Sequence, residues 1–197
     1  VLEFVEQLNG RPLLNHLQEY RNTTAREHGV RMSQMLMVMA ALYQATGDPM
    51  YLTAVENACA ILDRSSMLVD GCISARERIA GAKSWEAHEL CVVNYLSGLF
   101  GYMLQDTGGA VWADRIERVC LNAGLGAVTK DFRQLQYFSG PNQVIAQDVR
   151  FGEFPSVYRV FDSGRYDWCC AATVNRIVPS YIGSMWLRGP GDGVVAA

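Results

Sequence analysis

The sequence predicts an all-α protein, an arc of a ring of helical hairpins of the α/α toroid type. Three observations carry this: an internal repeat, the contrast between the two helices of each copy, and an apolar content sufficient to wrap a large core. The stretch Leu42 to Tyr51, with Thr46-Gly47 inside it, resembles Met103 to Trp112, with Thr107-Gly108 inside it, and an aromatic follows each Thr by five positions. The offset between the copies is 61 residues. Each copy reads as a helix, a Thr-Gly stop of the kind that ends helices at a left-handed residue, and a second helix. Half of the 197 residues are apolar and 19% are charged, which fits one globular domain and excludes a disordered chain.

Taken in order, the first helix, Val30 to Tyr43, is apolar nearly all round, as a helix enclosed on every side must be. Its partner, Tyr51 to Leu62, carries an apolar stripe of Leu52, Val55, Cys59 and Leu62 with charges opposite. The second copy repeats this: Val92 to Leu104 is apolar throughout, and Trp112 to Leu125 shows the stripe Trp112, Ile116, Val119 and Cys120. Inner helices thus alternate with outer ones, and hairpins that alternate so at this period close into a toroid whose inner helices run parallel. The β-formers of Gln134 to Phe138, closed by Ser-Gly-Pro-Asn, read as a short strand or extended loop. A third inner helix, from about Cys170 to Trp186, follows a Gly-Arg-Tyr-Asp turn, and Pro179 is expected to kink it. Parallel inner helices place their N-termini on one face. His28 begins the first of them, and the repeat offset carries it onto Glu89 at the start of the second, so both are expected in one mouth.

The charge balance narrows the partners. A formal charge of −3 and a pI near 5.6 leave no basic surface to neutralise phosphates, so no nucleic-acid partner is expected. No membrane partner is expected either, because the densest apolar segment, Met32 to Tyr43, is well short of the ~20 residues a span needs. The chain opens at Val1 without an initiator Met or targeting segment and closes on Gly193-Val194-Val195-Ala196-Ala197, which looks like the opening of a strand. It therefore reads as an interior piece of a longer protein. Compartment and oligomeric state are not legible.

Six cysteines punctuate the chain, at 59, 72, 91, 120, 169 and 170. Cys59 and Cys120 fall on apolar helix faces and read as small buried hydrophobes. Cys72, beside Gly71 in a loop, is open between packing and chemistry. Glu89-Leu90-Cys91 sets a carboxylate and a thiol two residues apart, and Cys169-Cys170 sets two thiols at another inner-helix start. Three sulfurs and a carboxylate converging from two segments suit a tetrahedral zinc ion, although Glu-x-Cys is common by chance and a Cys pair in a buried helix is more often packing than ligation. Glu77, in Ala75-Arg76-Glu77-Arg78, reads either as a solvated glutamate paired with a neighbouring arginine or as a general acid in a cleft.

These residues together resemble the β-L-arabinofuranosidase type of glycoside hydrolase, family 127 and its relative 146. The resemblance covers most of the chain. It rests on His28-Gly29-Val30, Leu42-Tyr43 through Thr46-Gly47-Asp48, Glu77 with Gly81 behind it, and His88-Glu89-Leu90-Cys91. It continues through Trp112-Ala113-Asp114-Arg115-Ile116-Glu117 with Asn122-Ala123, Gln136-Tyr137 with Pro141-Asn142-Gln143, and Cys169-Cys170 with Pro179, Ser184 and Trp186. The family implies an (α/α)6 catalytic barrel followed by a β-sandwich. On that reading residues 1–188 are the central and later part of the barrel, and residues 189–197 begin a truncated sandwich. The family further implies zinc ligands at Glu89, Cys91, Cys169 and Cys170, with Cys169 as the catalytic nucleophile. It assigns Glu77 as the acid/base, His28 and Tyr137 as substrate-binding residues, and a carbohydrate as the partner. His88 departs from the pattern, since many relatives carry Thr there.

The residue types suit a retaining hydrolase in which a thiolate replaces the usual second carboxylate, because coordination to zinc deprotonates a thiol. The expected activity is release of L-arabinofuranose or a similar furanoside from plant-type glycans, this piece being expected inactive alone. Two rival readings remain: a toroid hydrolase with another sugar specificity, and a non-catalytic carbohydrate-binding or structural-zinc domain whose metal is closed by four protein ligands.

Overall fold

The computed structural model describes residues 27–146, 156–163, 168–189 and 191–196. Helices α1 (Gly29–Thr46) and α2 (Pro49–Ser65) form one hairpin, and α3 (Leu90–Thr107) and α4 (Ala110–Arg118) form the next; α5 (Cys169–Ser184) is a third inner helix. Both Thr-Gly stops work as their chemistry requires. Gly47 and Gly108 take φ of 71° and 64°, and their N–H groups close the helices onto the carbonyls of Tyr43 and Leu104, a left-handed turn that a Cβ disfavours. Asp48 then accepts the N–H of Met50 and starts α2, with Pro49 in the first turn.

α3 is the centre of the arc, packed against α1, α4 and α5. Its buried residues run around the helix, from Leu90, Cys91, Val92 and Val93 to Leu99, Phe100 and Met103. α1 contacts α2 and α3 and is less enclosed, with Val30, Met35, Met37 and Val38 only partly buried. The outer stripes face inward as expected: Val55, Cys59, Leu62, Trp112, Ile116, Val119 and Cys120 are all buried, and Leu52 is partly so. Cys59 and Cys120 are packing residues, and burial pushes the Cys59 thiol up to about 12. Cys72 joins them; it is fully buried and its thiol is raised by desolvation.

Two details differ from the sequence reading. The outer helix expected over Trp112 to Leu125 changes to π-type hydrogen bonding over Val119–Gly124, which slides Gly124 against Ile177 of α5 and Val93 of α3. α5 contains Pro179 and stops at Ser184, so Trp186 opens a strand instead of ending a helix. The Gly-Arg-Tyr-Asp turn lies at 164–167, outside the described residues.

A small sheet caps the N-terminal ends of the inner helices. Its strands are β1 (Ala75–Arg76), β2 (Arg78–Ile79), β3 (His88–Glu89) and β4 (Phe138–Ser139), in the order β2-β1-β3-β4. β1 runs parallel to β3, while β3 and β4 pair antiparallel with His88 opposite Ser139 and Glu89 opposite Phe138. Leu135 bridges to Val128 and Asp162, so Gln134 to Phe138 is an extended loop with a bend at Tyr137 that leads into β4. Past α5, strands β5 (Trp186–Arg188) and β6 (Val194–Ala196) form a separate antiparallel hairpin. No helix among the described residues is long and apolar enough to cross a membrane.

Candidate active site

β3 is only two residues long, and its alternation sends His88 and Glu89 to opposite sides of the sheet. His88 turns to Asp70, with Nε2 2.8 Å from Oδ2, both residues buried. Glu89 faces the helix starts. It is the N-cap of α3 and fully buried, and the Leu90 N–H bonded to the Tyr137 carbonyl at 3.0 Å fixes its height against β4. Cys91 follows in the first turn of α3, and Cys169 and Cys170 are the first residues of α5, which packs on α3.

The four side chains converge. Cys91 Sγ lies 3.2 Å from Cys169 Sγ and 3.4 Å from Cys170 Sγ, with 4.0 Å between the last two. Glu89 Oε1 is 3.0 Å from Cys169 Sγ and 3.9 Å from Cys170 Sγ. A tetrahedral metal with thiolate bonds of about 2.3 Å sets sulfur–sulfur edges of about 3.8 Å, and the observed separations straddle that value. Glu89 Oε2 is buried without a hydrogen-bond partner, a group that is costly to leave unmet. The cluster could hold a metal ion. Cys91 and Cys170 are buried whereas Cys169 is exposed, so one sulfur of the set faces outward.

Beside it stands Glu77, in the left-handed region at φ 63° between β1 and β2. Its oxygens are held separately: the Tyr137 hydroxyl donates to Oε1 at 2.7 Å, and His28 Nε2 lies 2.7 Å from Oε2. Arg76, its neighbour in sequence, reaches Glu86 at 3.1 Å. The Tyr137 hydroxyl also lies 3.4 Å from Cys169 Sγ, and His28 Nε2 lies 4.0 Å from Glu89 Oε2. The two residues related by the repeat offset therefore meet in one mouth.

The environment sorts the charges. Burial pushes the Glu89 carboxyl up to about 9, aided by the Cys169 sulfur beside it. Hydrogen-bond contacts with Cys170 and Cys91, and then with Tyr137, hold the Cys169 thiol far below its ordinary value. The Cys170 thiol is raised by burial, and the Tyr137 phenol by burial and the nearby Glu89 charge.

Some site residues escape a reading of the sequence alone. Tyr158, in the short 3-10 turn Ser156–Arg159, stacks on Tyr137 at 4.6 Å, and Trp168 meets both rings edge-on at 5.5 Å. The only signal for Trp168 is its place immediately before the Cys pair. Thr173 lies 3.2 Å from Cys91 Sγ; its signal is helical spacing, one turn beyond Cys169 and Cys170.

Residues 13–183 match the family model described as Beta-L-arabinofuranosidase, GH127 catalytic domain. Among solved structures, a GH127 beta-arabinofuranosidase is similar at 20% identity and a TM-score of 0.66, over 82% of this chain and 25% of that one. A GH127 beta-L-arabinofuranosidase from Geobacillus Stearothermophilus T6 is 19% identical with a TM-score of 0.65, over 82% and 26%. A third, described as a glycoside hydrolase, is 14% identical with a TM-score of 0.64, over 90% and 31%. The chain spans about a quarter of the length of the first two, and at these identities the likeness is one of fold. Comparison with curated proteins gives no match. The helical arc, with the family model matching residues 13–183 and ending within α5, makes this chain a member of the GH127 β-L-arabinofuranosidase catalytic-domain family.

Proposed function

We propose that the protein carrying this chain is a retaining glycoside hydrolase that releases L-arabinofuranose or a similar furanoside from plant-type glycans. Cys169 is the nucleophile, Glu77 the acid/base, and Glu89, Cys91, Cys169 and Cys170 hold zinc. His28 and Tyr137 line the sugar site. Residues 1–188 belong to the catalytic barrel, and residues 189–197 open the β-region that follows it. One observation carries the reading: Glu77 and Cys169 share the Tyr137 hydroxyl. Those two contacts end to end hold the carboxyl oxygen and the sulfur to at most about 6 Å apart, short of the ~6.5–9.5 Å of inverting enzymes.

When bound, zinc supplies a positive charge that keeps its thiol ligands deprotonated. The remaining chemistry belongs to the side chains. The exposed Cys169 sulfur attacks the anomeric carbon, the glycosidic C–O bond breaks with its electron pair on the leaving oxygen, and the Glu77 carboxylic acid gives that oxygen its proton. A thioglycoside on Cys169 and a Glu77 carboxylate result. Glu77 then takes a proton from water, the water oxygen bonds to the anomeric carbon, and the C–S pair returns to sulfur. Tyr137, donating to Oε1, supports the carboxylate form that ends the first step.

The test uses the full-length protein with alkyl and nitrophenyl furanosides. Cys169→Ser should abolish the glycosyl-enzyme and weaken the metal site. Glu77→Gln should keep the metal and lose ~10²–10⁴-fold on the alkyl substrate, with far less loss on the nitrophenyl one, whose leaving oxygen needs no proton. Equal losses on both substrates remove Glu77 as the acid. A sugar adduct found by mass spectrometry on a residue other than Cys169 removes the nucleophile, and an active-site-intact protein with no turnover of any furanoside favours a structural metal domain.

A further inference from the structure

Resting on the acid/base reading of Glu77, we infer that His28 is a positioning residue for that carboxyl, and that with Tyr137 it clamps the two oxygens in the plane proton transfer requires. The backbone sets this up. The Gly29 N–H bonds to the Glu77 carbonyl at 2.7 Å and the Ile79 N–H to the Glu27 carbonyl at 2.8 Å, so the chain on both sides of His28 is stitched to the β1–β2 turn, with His28 paired to Arg78. Gly29 permits the approach, since a Cβ there would lie 2.4 Å from that of Ala75. Pinned at both ends, the imidazole meets Glu77.

The ring's own atoms argue for the same role. Nε2 is committed to Glu77 Oε2 at 2.7 Å, and Nδ1 is buried with no partner. Neither nitrogen faces an incoming sugar hydroxyl, although the side chain is 40% exposed; what a sugar meets is the ring's carbon face. Glu77 meanwhile holds a left-handed backbone conformation that is costly for a non-glycine residue, and such strain persists only where neighbours over-determine it. One hydrogen bond to each oxygen fixes the carboxyl's rotation and leaves each oxygen a second lone pair for the reaction. His28 Nε2 also lies 4.0 Å from the buried Glu89 Oε2, so the imidazole neighbours both carboxyls of the mouth.

The experiment compares His28→Phe, His28→Gln, Glu77→Gln and the His28→Phe/Glu77→Gln pair in the full-length enzyme, with metal content measured for each. Misplacing a reacting group by about 1 Å costs on the order of 10²-fold. His28→Phe should therefore lose about 10–100-fold in kcat on the alkyl furanoside, a few-fold on the nitrophenyl one, and little in KM. The double variant should be no slower than Glu77→Gln alone, and His28→Gln, which keeps a donor, should recover much of the alkyl rate. Equal losses on both substrates with a raised KM would make His28 a sugar contact only and overturn the inference while leaving Glu77 standing. Loss of leaving-group dependence in Glu77→Gln itself overturns the acid/base reading and this inference together. If His28→Phe fails to fold, His28→Ala with added imidazole decides: recovered alkyl turnover supports the clamp, and no recovery at full metal content refutes it.

Discussion

Among the described residues, two that are not glycine hold a positive φ, Glu77 at 63° and Phe132 at 57°, and the contrast between them shows what a strained residue is for. Glu77 is sewn in by its own carbonyl, by His28 and by Tyr137. Phe132 sits at the tip of the Thr129–Gln134 turn, 62% exposed, held by its N–H to the Thr129 carbonyl and by the Asp131 carboxylate accepting the Arg133 N–H. No chemistry depends on it. Phe132→Gly should therefore relieve left-handed strain of about 1–2 kcal/mol against the roughly 0.5–1 kcal/mol a glycine costs in chain entropy. The expected outcome is a full-length protein more stable by about 0.5–1 kcal/mol in thermal melting, with unchanged turnover. A lower melting temperature would mean that the ring is held by packing and that the turn needs it.

At the scale of elements, the outer helices α2 and α4 are tied by a two-pronged ion pair. Arg115 places Nη1 and Nη2 2.8 and 2.6 Å from the two oxygens of Asp63, and its guanidinium lies 5.3 Å from the Trp112 ring and 5.5 Å from that of Phe100. Both side chains are partly exposed, 25% and 34%, so the pair belongs at the upper end of the ~0.2–1 kcal/mol range for accessible pairs. A double-mutant cycle with Asp63→Ala and Arg115→Ala should return a coupling of about 1 kcal/mol that shrinks in salt; coupling near zero would leave the two helices joined by apolar packing alone. This pair also marks how far the sequence was legible. Arg115 reads as a charge opposite the apolar stripe, and nothing local announces a partner 52 residues away. Helix identity was legible because period, stripe and Thr-Gly stops are local features. The convergence of Glu89, Cys91, Cys169 and Cys170 was legible because each starts a parallel inner helix. The capping sheet was not, since strands of two residues carry no alternation, and neither was the turn of Glu77 away from a bland loop pairing, which depends on a tyrosine 60 residues on.

For the whole molecule, the four candidate ligands come from two segments about 80 residues apart: Glu89 and Cys91 at the start of α3, Cys169 and Cys170 at the start of α5. A bound metal would thus be a cross-link between inner helices as well as a source of reactivity. Among the described residues α5 buries Cys170, Thr173 and Ile177, while α3 buries eleven, and the first turn of α5 is where the ligands sit. Ligand binding to the folded state alone adds RT ln(1 + [L]/Kd), about 4 kcal/mol at a thousandfold excess over Kd, and that energy acts where the ligands are. Chelating the metal from the full-length protein should therefore lower its melting temperature and, in hydrogen exchange, release the amides of α5 and of β3 first, while α1, α2 and the far end of α3 keep their protection. Restoring zinc should restore both. Uniform loss of protection along the chain would show that the metal holds the global fold and not this one seam; no loss anywhere, with zinc demonstrably removed, would show that the sulfur cluster packs well enough without it and that the metal's part is confined to the chemistry of Cys169.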